Sequence, residues 1–399
     1  MAQKPTILPY GRQYIDGDDI EAVVSALKSD FLTTGPRVES FETALAKKTG
    51  AKHAIAVANG TVALYLAYRA AGLGPGDKII VPAITFLATA SAAEMAGIHA
   101  ILCDVDADTG LMSPKTLRDA FERHPDAKAA APVHLNGQCC DMCALADIAA
   151  QHDAVLIEDA CHAIGGDEWN TRTDAPNPVG ACSESVAACF SFHPVKTITM
   201  GEGGAVTCND DTFAERIRSL RTHGMRRTPH DGEDWPRDCK GQVLPWFYRM
   251  DEPSFNFRVT DIQSALGESQ LGKLNLFVAA RRELVERYDK ALADLSNKIR
   301  PVARVSPANT AWHLYPIFCL GGSEERSRLF EFLASRGIKP QVHYVPLFAH
   351  AYYREANDPA DFPGANSYYD RVLSLPLFYG MQDDEQDRVI EAVHDFFSG

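Results

Sequence analysis

Phe190-Ser191-Phe192-His193-Pro194-Val195-Lys196-Thr197-Ile198-Thr199, followed by Gly201-Glu202-Gly203-Gly204, is the stretch that decides how this 399-residue chain folds. It begins in an apolar, strand-like run (186–192), breaks at Pro194 and comes back through a glycine-rich turn. Lys196 therefore stands at a strand exit and not on a helix face. A lone lysine is usually a solvated surface charge. An amine desolvated at a strand exit has its charged form disfavoured, which makes the nucleophilic form accessible for imine chemistry.

Working outward, 37 residues earlier Asp159 closes the run Ala154-Val155-Leu156-Ile157-Glu158. Such a carboxylate either caps the next turn or pairs with a protonated ring nitrogen and keeps that ring an electron sink. His162 either lies against a ring face or is a packed core histidine. Asn59-Gly60-Thr61 follows another strand and opens a helix, whose free N–H groups and dipole suit a phosphate, although any capped helix start looks alike. The Ser191 hydroxyl could join the same phosphate. Phe86 could stack on the ring or be plain core. Gly201–Gly204 has neither the Walker spacing nor a G-x-G-x-x-G fingerprint, and reads as a tight turn leaving room for a ligand. An imine-forming lysine, an aspartate for a pyridinium nitrogen and an anion-binding turn together describe a pyridoxal phosphate site.

The surrounding pattern predicts where these residues sit. Strand-like runs at 54–58, 78–82, 99–103, 128–133, 154–158 and 186–192 are separated by helical stretches at 60–71, 85–97 and 141–152. This alternation implies an α/β fold with a mainly parallel sheet flanked by helices. Ligands collect at the carboxyl ends of such strands, and all the residues singled out fall there. Residues 225–253 lose periodicity and read as a long, ordered excursion, because Trp235, Trp246, Phe247 and Tyr248 fall in it. Helical pattern returns over 260–296. Strand-like runs at 315–320 and 340–345, mixed with helices, suit a smaller C-terminal α+β domain, with the division placed between 1–265 and 266–399.

Composition narrows the function classes. A formal charge of -14 argues against a nucleic-acid or anionic-membrane binder. No apolar run approaches the ~18 residues of a membrane-spanning helix, and Met-Ala-Gln-Lys-Pro is not the start of a signal peptide. The ten cysteines are scattered and read as buried thiols of a reducing compartment. Cys140 and Cys143 lack a second pair at zinc-ligand spacing, so no metal is expected.

With these residues laid out, the chain resembles the DegT/DnrJ/EryC1/StrS sugar-nucleotide aminotransferases, fold type I pyridoxal phosphate enzymes, from about residue 7 to the C-terminus. The markers are Ser29-Asp30-Phe31-Leu32-Thr33-Thr34-Gly35-Pro36, Asn59-Gly60-Thr61, Glu158-Asp159-Ala160-Cys161-His162-Ala163, the lysine segment and the run from Asn256 to Ala265. The resemblance implies a cytoplasmic homodimer with shared active sites. It implies Lys196 as imine lysine and proton shuttle, Asp159 on the pyridine nitrogen, and Gly60, Thr61 and Ser191 on the phosphate, with Asn256 reaching the other subunit's site. Phe-Ser-Phe-His-Pro-Val-Lys with Gly-Glu-Gly-Gly is most similar to the pseudaminic acid branch, as are Pro9-Tyr10-Gly11-Arg12-Gln13 and His134 with Gly137-Gln138. That branch moves an amine from L-glutamate to C4 of a UDP-linked 4-keto-6-deoxy-N-acetylhexosamine. Tyr10, Leu32, Thr33, Thr34, Gly35, His193, His313 and Tyr315 should then line the sugar-nucleotide site. The chain departs from that branch at Cys139-Cys140, at Met200 and in the long stretch 168–179. Two rival readings are an aminotransferase for another nucleotide-linked keto sugar and a non-catalytic pyridoxal phosphate sensor. Dehydratases of the same fold carry histidine in place of the lysine, and Lys196 speaks against them.

Overall fold

The computed structural model describes residues 7–230, 232–305 and 309–398; the expectation drawn from Met1–Pro5 lies outside them. The first half of the chain runs α1 (Gly17–Leu27), α2 (Pro36–Thr49), β1 (His53–Val57), α3 (Gly60–Ala70), β2 (Lys78–Pro82), α4 (Ala88–Met95), β3 (His99–Cys103), α5 (Pro114–Arg123), β4 (Ala129–Ala130), α6 (Met142–Ala150) and β5 (Val155–Asp159). The hairpin β6 (Asp167–Asn170) and β7 (Ala175–Pro178) follows, then β8 (Ala187–Ser191), β9 (Gly204–Cys208) and α7 (Asp211–Leu220). Beyond the paired dipeptides β10 (Met225–Arg226) and β11 (Arg249–Met250) come α8 (Asp261–Gly272), α9 (Leu274–Ala291), β12 (Ile299–Pro301), β13 (Tyr315–Cys319), α10 (Gly322–Ser335), α11 (Ala351–Arg354), α12 (Pro363–Arg371), β14 (Val372–Leu375) and α13 (Asp383–Ser398).

Seven strands form the main sheet in the order β1-β9-β8-β5-β4-β2-β3. Every pairing from β8 through β5, β4 and β2 to β3 is parallel. Only β9 runs against its neighbours β1 and β8. The cause is the connection. Residues 192–203 join β8 to β9 without a crossover helix, and a helix-free return gives an antiparallel neighbour. Lys196 rides in that return. The strands are apolar on both faces because helices cover both, so their side chains merge with α3, α4, α5 and α6 into the main core.

The helix starts follow local chemistry. Ser113 and Thr116 make a reciprocal capping box for α5 with Pro114 in its first turn, and Thr260 with Gln263 does the same for α8. The second sheet, β12-β13-β14, is antiparallel and packs with α9, α10 and α13 around its own core. The division expected at 265/266 falls inside α8, which runs unbroken to Gly272. The 340–345 run is not a regular strand: only Gln341 bridges to Ser374, because β14 has taken the place beside β13.

The stretch 225–253 is ordered around Arg226. Its guanidinium pairs with Glu233 at 2.7 Å and Asp251 at 2.9 Å and lies 5.5 Å from the ring of buried Trp235. The 168–179 stretch is the β6–β7 hairpin, with Glu168 opposite Asn177. No described helix is long and apolar enough to cross a membrane.

Candidate active site

At the carboxyl ends of β1, β5 and β8 lies a cavity of about 540 Å³. Its large-domain wall carries Asn59, Gly60, Thr61, Phe86, Asp159, Cys161, His162, Ser191, His193 and Lys196. The other wall is Tyr10 with the segment Gln341, Val342, His343 and Tyr344.

Asn59 caps α3, its side chain accepting from the Val62 N–H at 3.0 Å. The first-turn N–H groups of Gly60 and Thr61 thus open towards the cavity. Two glycines permit this arrangement. A Cβ on Gly60 would stand 2.8 Å from Ser191 Cβ, and one on Gly204 would stand 2.4 Å from the Asn59 carbonyl carbon. Ser191, ending β8, is thereby held against the helix start. The loop carrying Lys196 is closed by the Phe192 N–H to Gly203 O (2.8 Å), Met200 N–H to Phe192 O (2.9 Å) and Lys196 N–H to His193 O (2.8 Å). Burial holds the Lys196 amine below the usual lysine range, and the nearby Asp159 carboxylate opposes part of that shift.

Asp159 ends β5 with both oxygens oriented. Thr89 donates its hydroxyl to Oδ2 at 2.7 Å, and the Cys161 N–H reaches Oδ1 at 3.2 Å. A carboxylate so placed keeps acceptor capacity on the cavity side, which fits a protonated pyridine nitrogen. The donor set across from it, an open helix N-terminus beside a serine hydroxyl, fits a phosphate. The cavity therefore suits pyridoxal phosphate on both counts.

His162 Nδ1 accepts the Asn136 N–H at 3.3 Å, while Nε2 lies 3.1 Å from the Tyr344 hydroxyl. A nitrogen that accepts an N–H carries no hydrogen, so the ring is neutral with its hydrogen on Nε2. Burial and the Lys196 charge push the His162 pKa well down, in agreement. His313 packs behind it, ring centroids 4.3 Å apart, with its Nδ1 buried and without a hydrogen-bond partner among the described residues.

The structure does not bring every expected residue to this cavity. His313 forms its backing and not its lining. Tyr315 is a correction: it lies in the core of the second sheet, stacked on Tyr288 at 4.7 Å with its hydroxyl on Asp289. All residues of β13 are buried, and none of them lines the cavity that holds Lys196. Phe86 lies just before α4 instead of opening it, 5.8 Å from the Tyr344 ring. Leu32, Thr33, Thr34 and Gly35 are pinned to the start of α8 through the Asp261 N–H to Leu32 O (3.0 Å) and the Gly35 N–H to Asp261 Oδ2 (2.8 Å). Thr34 and Gly35 open onto a separate cleft of about 420 Å³ with Arg218, Arg221 and Arg258. Asn256 is exposed two residues from Arg258. Sequence reasoning missed Thr89, Asn136 and Tyr344. Thr89 sits one turn beyond Phe86 and could have been found by asking what holds Asp159; nothing local announces Tyr344.

Among the described residues one group could hold a metal ion: His134, Glu158 and Glu168, all buried. The Cys140 N–H donates to His134 Nδ1 at 3.3 Å, so Nε2 keeps its hydrogen and presents it to Glu158 at 3.2 Å. A metal-binding histidine has its hydrogen on the other nitrogen, and this cluster is wired for a proton. Burial and the Glu158 carboxylate push Glu168 up to about 8.

The sequence description of the DegT/DnrJ/EryC1/StrS aminotransferase family matches residues 13–394. The chain is 36% identical over the full length of both proteins to the spore coat polysaccharide biosynthesis protein SpsC of Bacillus subtilis (strain 168). Among solved structures it is similar to the putative sugar aminotransferase Spr1654 from Streptococcus pneumoniae in its PLP form, with TM-score 0.86 and 28% identity over 98% of this chain and 99% of that one. It is likewise similar to Helicobacter pylori PseC, an aminotransferase involved in the biosynthesis of pseudoaminic acid, with TM-score 0.87 and 28% identity over 98% and 100%.

Proposed function

The chain belongs to the DegT/DnrJ/EryC1/StrS aminotransferase family and is a pyridoxal-phosphate-dependent sugar aminotransferase, and on that premise we propose that it aminates C4 of a UDP-linked 4-keto-6-deoxy-N-acetylhexosamine with L-glutamate as donor. The observation that carries the catalytic part is the shared cavity. Lys196, the oriented Asp159 carboxylate, Ser191 and the start of α3 line one space. When bound, pyridoxal phosphate supplies the electron sink on which amine transfer depends. Asp159 would hold the ring nitrogen protonated; Gly60, Thr61 and Ser191 would hold the phosphate; Phe86 and His162 would bracket the ring. Lys196 would anchor the cofactor as its imine lysine. Freed, its lowered amine would take a proton from the donor's Cα and later deliver one to sugar C4, fixing stereochemistry by its face of approach.

Support for the sugar comes from the pseudaminic-type lysine segment and the likeness to PseC. The full-length relation to SpsC favours a second reading, a different nucleotide-linked keto sugar destined for a polysaccharide. Tyr10 and His193 would contact the substrate in either case.

The reading includes a cytoplasmic homodimer with shared sites. Exposed Phe31 (53%), Leu32 (48%) and Phe255 (68%) support it, since large apolar side chains left in water are candidates for an association surface. Asn256 and the segment 32–35 would then complete the partner's cavity. In the deciding experiment, purified enzyme receives glutamate and the UDP-4-keto sugar. The UDP-4-amino sugar and 2-oxoglutarate should appear in equal amounts by mass spectrometry. Amination of a dTDP- or GDP-linked ketone in its place would select the second reading.

A further inference from the structure

Tyr344 belongs to no motif in the sequence, yet its hydroxyl sits at the end of a directed chain of hydrogen bonds. Asn136 has a left-handed backbone (φ 64°), which turns its N–H onto His162 Nδ1. This leaves His162 only the Nε2 hydrogen, and that hydrogen points at the Tyr344 oxygen, 3.1 Å away. The Tyr344 oxygen is therefore an acceptor in this contact and its own hydrogen remains to be given elsewhere. The ring is fixed on the small-domain wall, near Phe86 and against His343 at 4.9 Å. His343 in turn stands 5.3 Å from Tyr10 and is tied to Ser374 at 2.9 Å. This wall faces the one that carries the phosphate and ring-nitrogen groups.

We propose that Tyr344 is a specificity-determining residue whose hydroxyl, made a compulsory donor by the Asn136–His162 relay, binds an oxygen acceptor of the keto sugar. The inference rests on the preceding reading that a nucleotide-linked ketone is the amine acceptor, but not on which nucleotide it carries. The sugar is the favoured recipient because Tyr344 shares its wall with Tyr10 and the N-terminal arm, which is anchored there by Leu8 N–H to Gly337 O and Leu377 N–H to Tyr10 O. A buried donor built for one acceptor discriminates strongly against a ligand lacking it.

The test is Tyr344→Phe, which removes one oxygen and keeps the ring. The two half-reactions are followed separately by the absorbance of the bound cofactor. The proposal expects the rate with glutamate to change by about twofold at most, while kcat/KM for the keto sugar falls about tenfold or more, as for loss of one buried hydrogen bond. Equal loss in both half-reactions, with a displaced visible band, would overturn it and assign the hydroxyl to the cofactor. No loss in either would overturn it outright. Failure of the function itself reads differently: the wild-type enzyme would then convert no nucleotide-linked 4-keto sugar, whatever the variant does.

Discussion

The two walls of the cavity are built by different means. The large-domain wall is assembled from strand ends that are short and sequence-local: Asn59-Gly60-Thr61 after β1, Asp159 at the end of β5, Ser191 to Lys196 after β8. The small-domain wall is assembled from segments distant in sequence, with Tyr10 in the N-terminal arm and Gln341 to Tyr344 between two prolines. On the proposed function, the first wall would hold the groups that chemistry on any amine donor requires. The second would hold the rings and hydroxyls that tell one acceptor from another. On this account, reaction type is set by the sheet and substrate choice by the wall facing it.

Substitutions on the two walls should therefore fail in different ways. Lys196→Ala should lower turnover by about 10³-fold or more, because the proton-moving amine is gone, while the thermal midpoint stays near that of the wild type. Turnover within tenfold of wild type would remove the wall's central member. Asp159→Asn should lower both half-reactions by about 10²-fold, the scale for losing one preorganised electrostatic partner, as measured by single-turnover absorbance. If only the sugar step suffered, Asp159 would belong to the substrate wall. Gly60→Ala should cost about 1–3 kcal/mol in a denaturant titration by overpacking against Ser191, and should weaken cofactor retention in dialysis. An unchanged midpoint with tight retention would mean that the close approach at 2.8 Å relaxes without effect.

An effect of another kind, read in stability against pH, lies behind the large-domain wall. Glu168 is raised to about 8 from the usual glutamate value of 4.5. Between these values the folded chain keeps a proton that the unfolded chain releases, so this group's contribution is present at acid pH and is lost as pH climbs through the window. Glu168→Gln removes the titration. Its stability relative to wild type should rise steadily from about pH 5 to about pH 8 and then level off. A difference independent of pH would show that the Glu158–Glu168 pair shares no proton.

The same contrast explains what the sequence disclosed. Most strands between 53 and 191 can be read within a residue or two, because each is an apolar run bounded by turn-formers and covered on both faces. The expected 128–133 strand shrinks to Ala129–Ala130, since Pro132 has no N–H to continue the ladder. The strand β14 is not legible because Val372–Leu375 follows α12 directly, with no turn residue to separate them. It stands between β13 and the 340–345 run, whose one bridge is from Gln341 to Ser374. Tyr315 misled for a related reason: His313 backs the site but lies before β13, and position along a strand buried on both faces carries no information about ligands. The role of Glu168 was hidden because its partners, His134 and Glu158, come from other elements.

The most direct test of the account is the absorbance spectrum of the purified protein as L-glutamate is titrated in. The account predicts a band near the visible edge that bleaches with glutamate in the wild type, and in Lys196→Ala a bound cofactor whose band does not bleach catalytically. No band in the wild type, even after pyridoxal phosphate is added, would contradict the assignment of Lys196 and of the wall built around it.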